Sequence, residues 1–355
     1  MHILDIKKEK TNLNNGKVNI GSLTLESGIV LENVELAYEM AGPANAPVIL
    51  VCHALTGNQF TIGTDEHPGW WSGLIGNKKY VDTTKFNVVT FNVLGGCDGS
   101  TGPTSVNPKT GKLYRGDFPS ITIRDMVVAE KKALAVLGID HLYAVLGGSL
   151  GGMQALEWAL LFPDQMEKLF VFASTPYLND YGIAFNRIAI EAIENDPNWR
   201  DGNYDHSKEV KGLEVARMVG MVTYRSSEMF TERFSRTKKE QADKPLFEVE
   251  AYLKHQGRKL STRFDANSYM TLLRAMNTHD IGRGRGGWQK ALDHIQAELI
   301  SLSYDNDLIY TPAFMEDFTR KVKHHYYYKI ETKYGHDGFL VEFSKWGHIV
   351  QKHLQ

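Results

Sequence analysis

The chain has 355 residues, 42% of them hydrophobic, enough for a large core in one domain with an insertion or in two domains. Forty basic against 42 acidic residues leave a net charge of −2 without a long single-sign run, which speaks against nucleic-acid or membrane partners. No apolar stretch approaches the roughly 20 residues of a spanning helix, the opening MHILDIKKEKTNLNNG lacks the apolar core of a secretory signal, and Cys52 and Cys97 are too few for a disulfide framework or a zinc cluster; a cytoplasmic protein without a metal is expected.

Along the chain, alternating segments around 17–25 and 29–39 predict an antiparallel hairpin at a sheet edge. Short runs rich in Val, Ile, Phe and Tyr follow: PVILVCH from Pro47, NVVTFNV from Asn87, LYAVLGG from Leu142, KLFVFAS from Lys168, LISLSYD from Leu299 and YYYKI from Tyr326. Continuous apolar runs of this length suit parallel strands buried on both faces. Between the second and third, TIRDMVVAEKKALAVLG predicts a helix with Thr122 as N-cap and Gly138 as its stop. The strand–helix rhythm breaks after Pro176 and resumes near Glu298, and the residues between read as several helices with turn signals from Asn195 to Gly202. The expected architecture is α/β with a mostly parallel central sheet, residues 1–175 and 298–355 forming the core and 176–297 an inserted helical lid.

The strongest chemical signal is GGSLGG, in which Gly147, Ser149 and Gly151 form G-x-S-x-G between a predicted strand and a predicted helix. A serine at such a strained turn is presented as a nucleophile at the head of a helix; the plainer alternative is a Gly-rich turn that binds phosphate or merely packs. A serine hydroxyl needs a histidine base and a carboxylate that orients it, following in the order Ser, Asp, His. Of 13 histidines, His336 in YGHDGFL lies beyond the last predicted strand, and LSYDNDLIYTP before it offers Asp305 or Asp307, between which periodicity does not choose. The oxyanion of an acyl-transfer intermediate needs two N–H donors. Those expected are the backbone of Leu150 and of Leu55, the latter in the HALTG loop after the first central strand.

These residues carry a resemblance that covers nearly the whole chain. HALTG at His53, GWW at Gly69, NVLGGCDGSTGP from Asn92, DFPSITIRDMV from Asp117, GGSLGGMQALEWA from Gly147, RFDANSYM from Arg263, HDIGRGRGG from His279 and GHDGFLVE from Gly335 are similar to the homoserine O-acetyltransferase family of the α/β-hydrolase superfamily. The resemblance implies an α/β-hydrolase fold and a triad of Ser149, Asp307 and His336, since Asp307-Leu308-Ile309-Tyr310 fits the family pattern and Asp305 does not. Departures are Leu150, where the family often has Met, and an extra residue or so around 304–307. It further implies that Arg217 and Tyr224, which share one helix face two turns apart, bind the acceptor carboxylate, and that Asp337 meets the acceptor ammonium. Alternatives are a salt bridge from Arg217 to a lid glutamate and a helix N-cap role for Asp337. The implied activity is acetyl transfer from acetyl-CoA, as acyl-donor substrate, to L-homoserine by a ping-pong route in methionine biosynthesis, by a homodimer needing no cofactor. Succinyl-CoA or serine as substrates, a carboxylester hydrolase, and a catalytically silent scaffold are the competing expectations.

Overall fold

A computed structural model describes residues 13–239 and 246–355; residues 1–12 of the segment read for a secretory signal lie outside the described residues. Eight strands form the central sheet: β1 (Leu13–Asn19), β2 (Glu35–Ala41), β3 (Val48–Cys52), β4 (Asn87–Phe91), β5 (Leu142–Gly148), β6 (Met166–Phe172), β7 (Glu298–Tyr304) and β8 (His325–Ile330). Their spatial order is β1-β2-β4-β3-β5-β6-β7-β8; β2 pairs antiparallel with β1 and β4, and all other pairs are parallel. All six apolar runs are strands of this sheet. The pleat sends Leu50 and Cys52 to one face and Ile49 and Val51 to the other, and each face has its own core. That is why the central runs are apolar without alternation.

The N-terminal hairpin forms at the sheet edge as expected, in one antiparallel register from Leu13 opposite Ala41 to Thr24 opposite Val30. The long antiparallel pair is β1 with β2, and the residues between hold a separate two-residue ribbon, Leu23–Thr24 against Val30–Leu31. The strand breaks at Gly21, which has φ +72° and donates its N–H to Asn19 Oδ1 at 2.8 Å; glycine accommodates that conformation readily.

Helix α1 (Ile123–Val136) starts in a capping box, with Thr122 Oγ1 accepting from Asp125 N and an Asp125 carboxylate oxygen accepting from Thr122 N, and Gly138 beyond its end has φ +75°. Helix α2 (Leu150–Leu161) is apolar nearly all round, because it is buried among the sheet, α1 and the segments above. Helices α3 (Asp180–Glu194), α4 (Lys211–Thr223), α5 (Ser227–Phe234), α6 (Glu248–Ser261), α7 (Ala266–Asn277) and α8 (Trp288–Leu292) fall between β6 and β7. The two ends of this stretch meet: Ile281 N–H donates to Pro176 O at 2.9 Å and Leu178 N–H to His279 O at 3.2 Å. Helices α9 (Pro312–Thr319) and α10 (Phe343–His353) close the chain. Among the described residues no helix is long and apolar enough to cross a membrane.

One buried carboxyl gives the fold a pH dependence. Glu130 on α1 is 1% exposed and accepts from Trp158 Nε1 on α2 at 2.7 Å; burial pushes it up to about 7 from an ordinary 4.5. The folded state thus holds a proton that the unfolded chain releases between those values. The contribution to stability is full below about pH 4.5 and lost as pH rises through 7, up to roughly 3 kcal/mol. Glu130→Gln keeps an acceptor for Trp158 without the charge. Its urea-unfolding stability relative to the natural protein should improve from pH 5 to pH 8; an equal difference at both pH values contradicts this.

Candidate active site

Ser149 stands at the sharp turn from β5 into α2 with φ +57° and ψ −121°, a region costly to a non-glycine residue. Its flanking glycines are there for space. A Cβ on Gly147 would lie 2.0 Å from Gly151 O, and one on Gly151 would lie 2.0 Å from Cys52 O, so the strand, the turn and β3 could not otherwise pack.

His336 lies in a 3-10 turn, Gly335–Leu340, after β8, and is 4% exposed. Its Nδ1 is 2.8 Å from Asp307 Oδ2 and its Nε2 is 3.0 Å from Ser149 Oγ. A carboxylate only accepts, so the ring proton belongs on Nδ1 and Nε2 is free to accept from the serine hydroxyl. The other oxygen of Asp307 accepts the N–H groups of Ile309 and Tyr310, both at 2.9 Å, which fixes the carboxylate in place. Asp305 is turned away and pairs with Lys329 at 3.1 Å. The cause is Asn306, at φ +62°, where the chain leaves the β7 ladder. The rings of Tyr310, Phe339 and Tyr224 stand 5.2, 5.3 and 5.5 Å from the His336 ring and enclose it.

Leu150 is the first residue of α2 and Leu55 lies in the loop after β3; among the described residues neither N–H has an acceptor, leaving both available to an oxyanion. The Leu55 loop is anchored by His53, a role not read from HALTG. His53 is fully buried, its Nδ1 donates to Ala54 O at 2.7 Å and its Nε2 accepts from Val93 N at 3.1 Å. Burial pushes it down to about 4, so it stays neutral near pH 7.

Arg217 and Tyr224 do share one face at the end of α4, with the guanidinium carbon 5.8 Å from the Tyr224 ring. Among the described residues Arg217 makes no salt bridge; Glu214, the nearest candidate along α4, pairs with Lys211 at 2.8 Å. Asp337 is not an N-cap, since Glu342 occupies that position on α10. It is buried, and its Oδ2 accepts from Arg225 Nε at 2.9 Å. The sequence reading missed Arg225. The residue is adjacent to Tyr224, but its carboxylate partner is 112 positions away, and nothing local announces the pair. It also left Tyr310 out of the site, although its buried hydroxyl approaches Ser149 without meeting hydrogen-bond geometry.

A narrow cleft with a cavity volume of about 20 Å³ runs from Ser149 between α3, α4 and α7, with Phe185, Val219, Met276, Tyr224 and Tyr310 among its walls. Sheet order, elbow serine and the Ser149–His336–Asp307 hydrogen-bond chain define a protein of the α/β-hydrolase class, and the model of the alpha/beta hydrolase fold family matches residues 47–352. The chain is 42% identical to a homoserine O-acetyltransferase of Carboxydothermus hydrogenoformans over 96% of its own length and 94% of that protein. Among solved structures, homoserine O-acetyltransferase from Bacillus anthracis superposes with a TM-score of 0.90 at 28% identity, covering 97% of this chain and 98% of that one. Esterase E22 superposes at 0.89 with 26% identity, covering 97% and 100%. The chain belongs to the homoserine O-acetyltransferase family.

Proposed function

We propose that the protein transfers the acetyl group of acetyl-CoA to the side-chain hydroxyl of L-homoserine through an acetyl ester on Ser149, a step of methionine biosynthesis. In the first half, His336 Nε2 takes the Ser149 proton as Oγ attacks the thioester carbonyl. The oxyanion meets the Leu55 and Leu150 N–H groups, each donor contributing roughly 10²- to 10³-fold in rate. The C–S bond breaks, and the CoA sulfur leaves with the proton from His336. In the second half the homoserine hydroxyl gives its proton to His336 and attacks the ester, and Ser149 recovers that proton on release. Asp307 stabilises the imidazolium in both halves.

The observation that carries this reading is Arg217. An arginine that makes no salt bridge among the described residues, set against the Tyr224 ring that in turn faces His336, suits the carboxylate of an amino-acid acceptor. Asp337, on the same turn as His336, suits its ammonium group. The helices of residues 176–297 act as a lid that excludes water from the acyl-serine. The likeness to esterase E22 favours a second reading, a carboxylester hydrolase using the same serine.

Release of CoA separates the two. Acetyl-CoA and succinyl-CoA are each tested with homoserine, serine or water. Release that needs both acetyl-CoA and homoserine is expected, and equal release with water alone would establish the hydrolase. Arg217→Gln should raise the homoserine KM roughly 10- to 100-fold, with the acetyl-CoA KM moving less than about threefold.

The same proposal includes a homodimer, a cytoplasmic location and no cofactor. Exposed Tyr181 and Ile188 on α3, with Val215 and Val222 on α4, support the dimer; a monomer mass by light scattering would exclude it. Two free cysteines fit a reducing compartment.

A further inference from the structure

The segment that ends α4 is fastened to the His336 turn at three points. Asp337 N–H donates to Tyr224 O at 3.0 Å, Arg225 Nε donates to Asp337 Oδ2 at 2.9 Å, and the Ser226 hydroxyl donates to the Lys333 carbonyl. Asp337 is 8% exposed, yet among the described residues its Oδ1 has no donor. That oxygen is the open one: the Asp337 side chain keeps 12% of its surface exposed, and a donor arriving there replaces water.

The geometry points to Arg225 as a positioning residue for the acceptor: it holds Oδ2 so that Oδ1 is the oxygen that receives the acceptor's amino group. This rests on the acyl-transfer reading above. Burial pushes the Asp337 carboxyl up, and Arg225 leads the groups that pull it back, ahead of His336 and Arg217. Arg225 thus keeps charged a carboxylate that would otherwise drift toward its neutral form and lose its attraction for an ammonium. The backbone bond to Tyr224 and the Ser226 bond to Lys333 do not involve the Arg225 side chain, so the His336 turn keeps two of its three ties without it.

The test compares kcat/KM for L-homoserine and for 4-hydroxybutanoate, which keeps the carboxylate and hydroxyl but lacks the amino group, using acetyl-CoA as donor. Arg225→Gln should lower the homoserine value roughly 30-fold, chiefly through KM, while the value for 4-hydroxybutanoate changes less than about threefold. Arg225→Lys, which keeps the charge and perturbs folding least, should recover part of the loss. Equal losses with both acceptors would mean that Arg225 only supports the fold and would overturn the inference, as would wild-type values for homoserine in both variants. Absence of homoserine acetylation by the unaltered protein overturns the transferase reading itself, and this inference with it.

Discussion

Ser149→Ala is expected to lower homoserine-dependent CoA release by at least about 10⁴-fold, because every acyl group passes through its Oγ. The backbone at this position is already strained, and alanine has no need of a different conformation there, so thermal stability should not fall. The remaining rate reflects only bound substrates and free N–H donors, with no covalent step. Intact-protein mass spectrometry after mixing with acetyl-CoA alone should find an acetyl adduct on the natural protein that maps to the peptide containing Ser149 and is missing from the variant. An adduct that persists in Ser149→Ala, or activity within 100-fold of the natural protein, would rule out this serine as the acyl carrier.

The second large effect concerns the carboxylate. Asp307→Asn should lower kcat roughly 10³- to 10⁴-fold, since an amide facing Nδ1 can donate and so favours the tautomer that leaves Nε2 protonated and unable to accept from Ser149. Asp305→Asn is the matched comparison. That residue pairs on the outside with Lys329, whose side chain is 54% exposed, and water screens such a pair so that it contributes little. Its activity should stay within about twofold. Interchanged results would move the orienting role to Asp305 and contradict the 2.8 Å contact between His336 and Asp307.

The readings that held from sequence depend on local chemistry. The five inner apolar runs became strands because a segment buried on both faces must be apolar throughout, whatever lies next to it, while the sixth, β8, is a half-exposed edge strand. Thr122 caps α1 through Asp125, three residues on, and the Ser149 elbow is made by glycines within three positions of it. The edge hairpin was legible from its alternation; only the pause at Asn19 and Gly21 interrupts its antiparallel register. The choice between Asp305 and Asp307 was invisible to periodicity, because it turns on one left-handed residue, Asn306.

By itself the sequence determined the fold class and the nucleophile turn, since each is written in neighbouring residues whose sterics and hydrogen bonding act over a few positions. Tertiary structure alone decided which groups complete the site. His53 ties the Leu55 loop to Val93, 40 positions away, and Arg225 reaches Asp337 across 112. Such pairs form only when folding brings separate elements into a shared, water-poor space, where an unpaired polar group is costly and the geometry of the whole chain selects the partner.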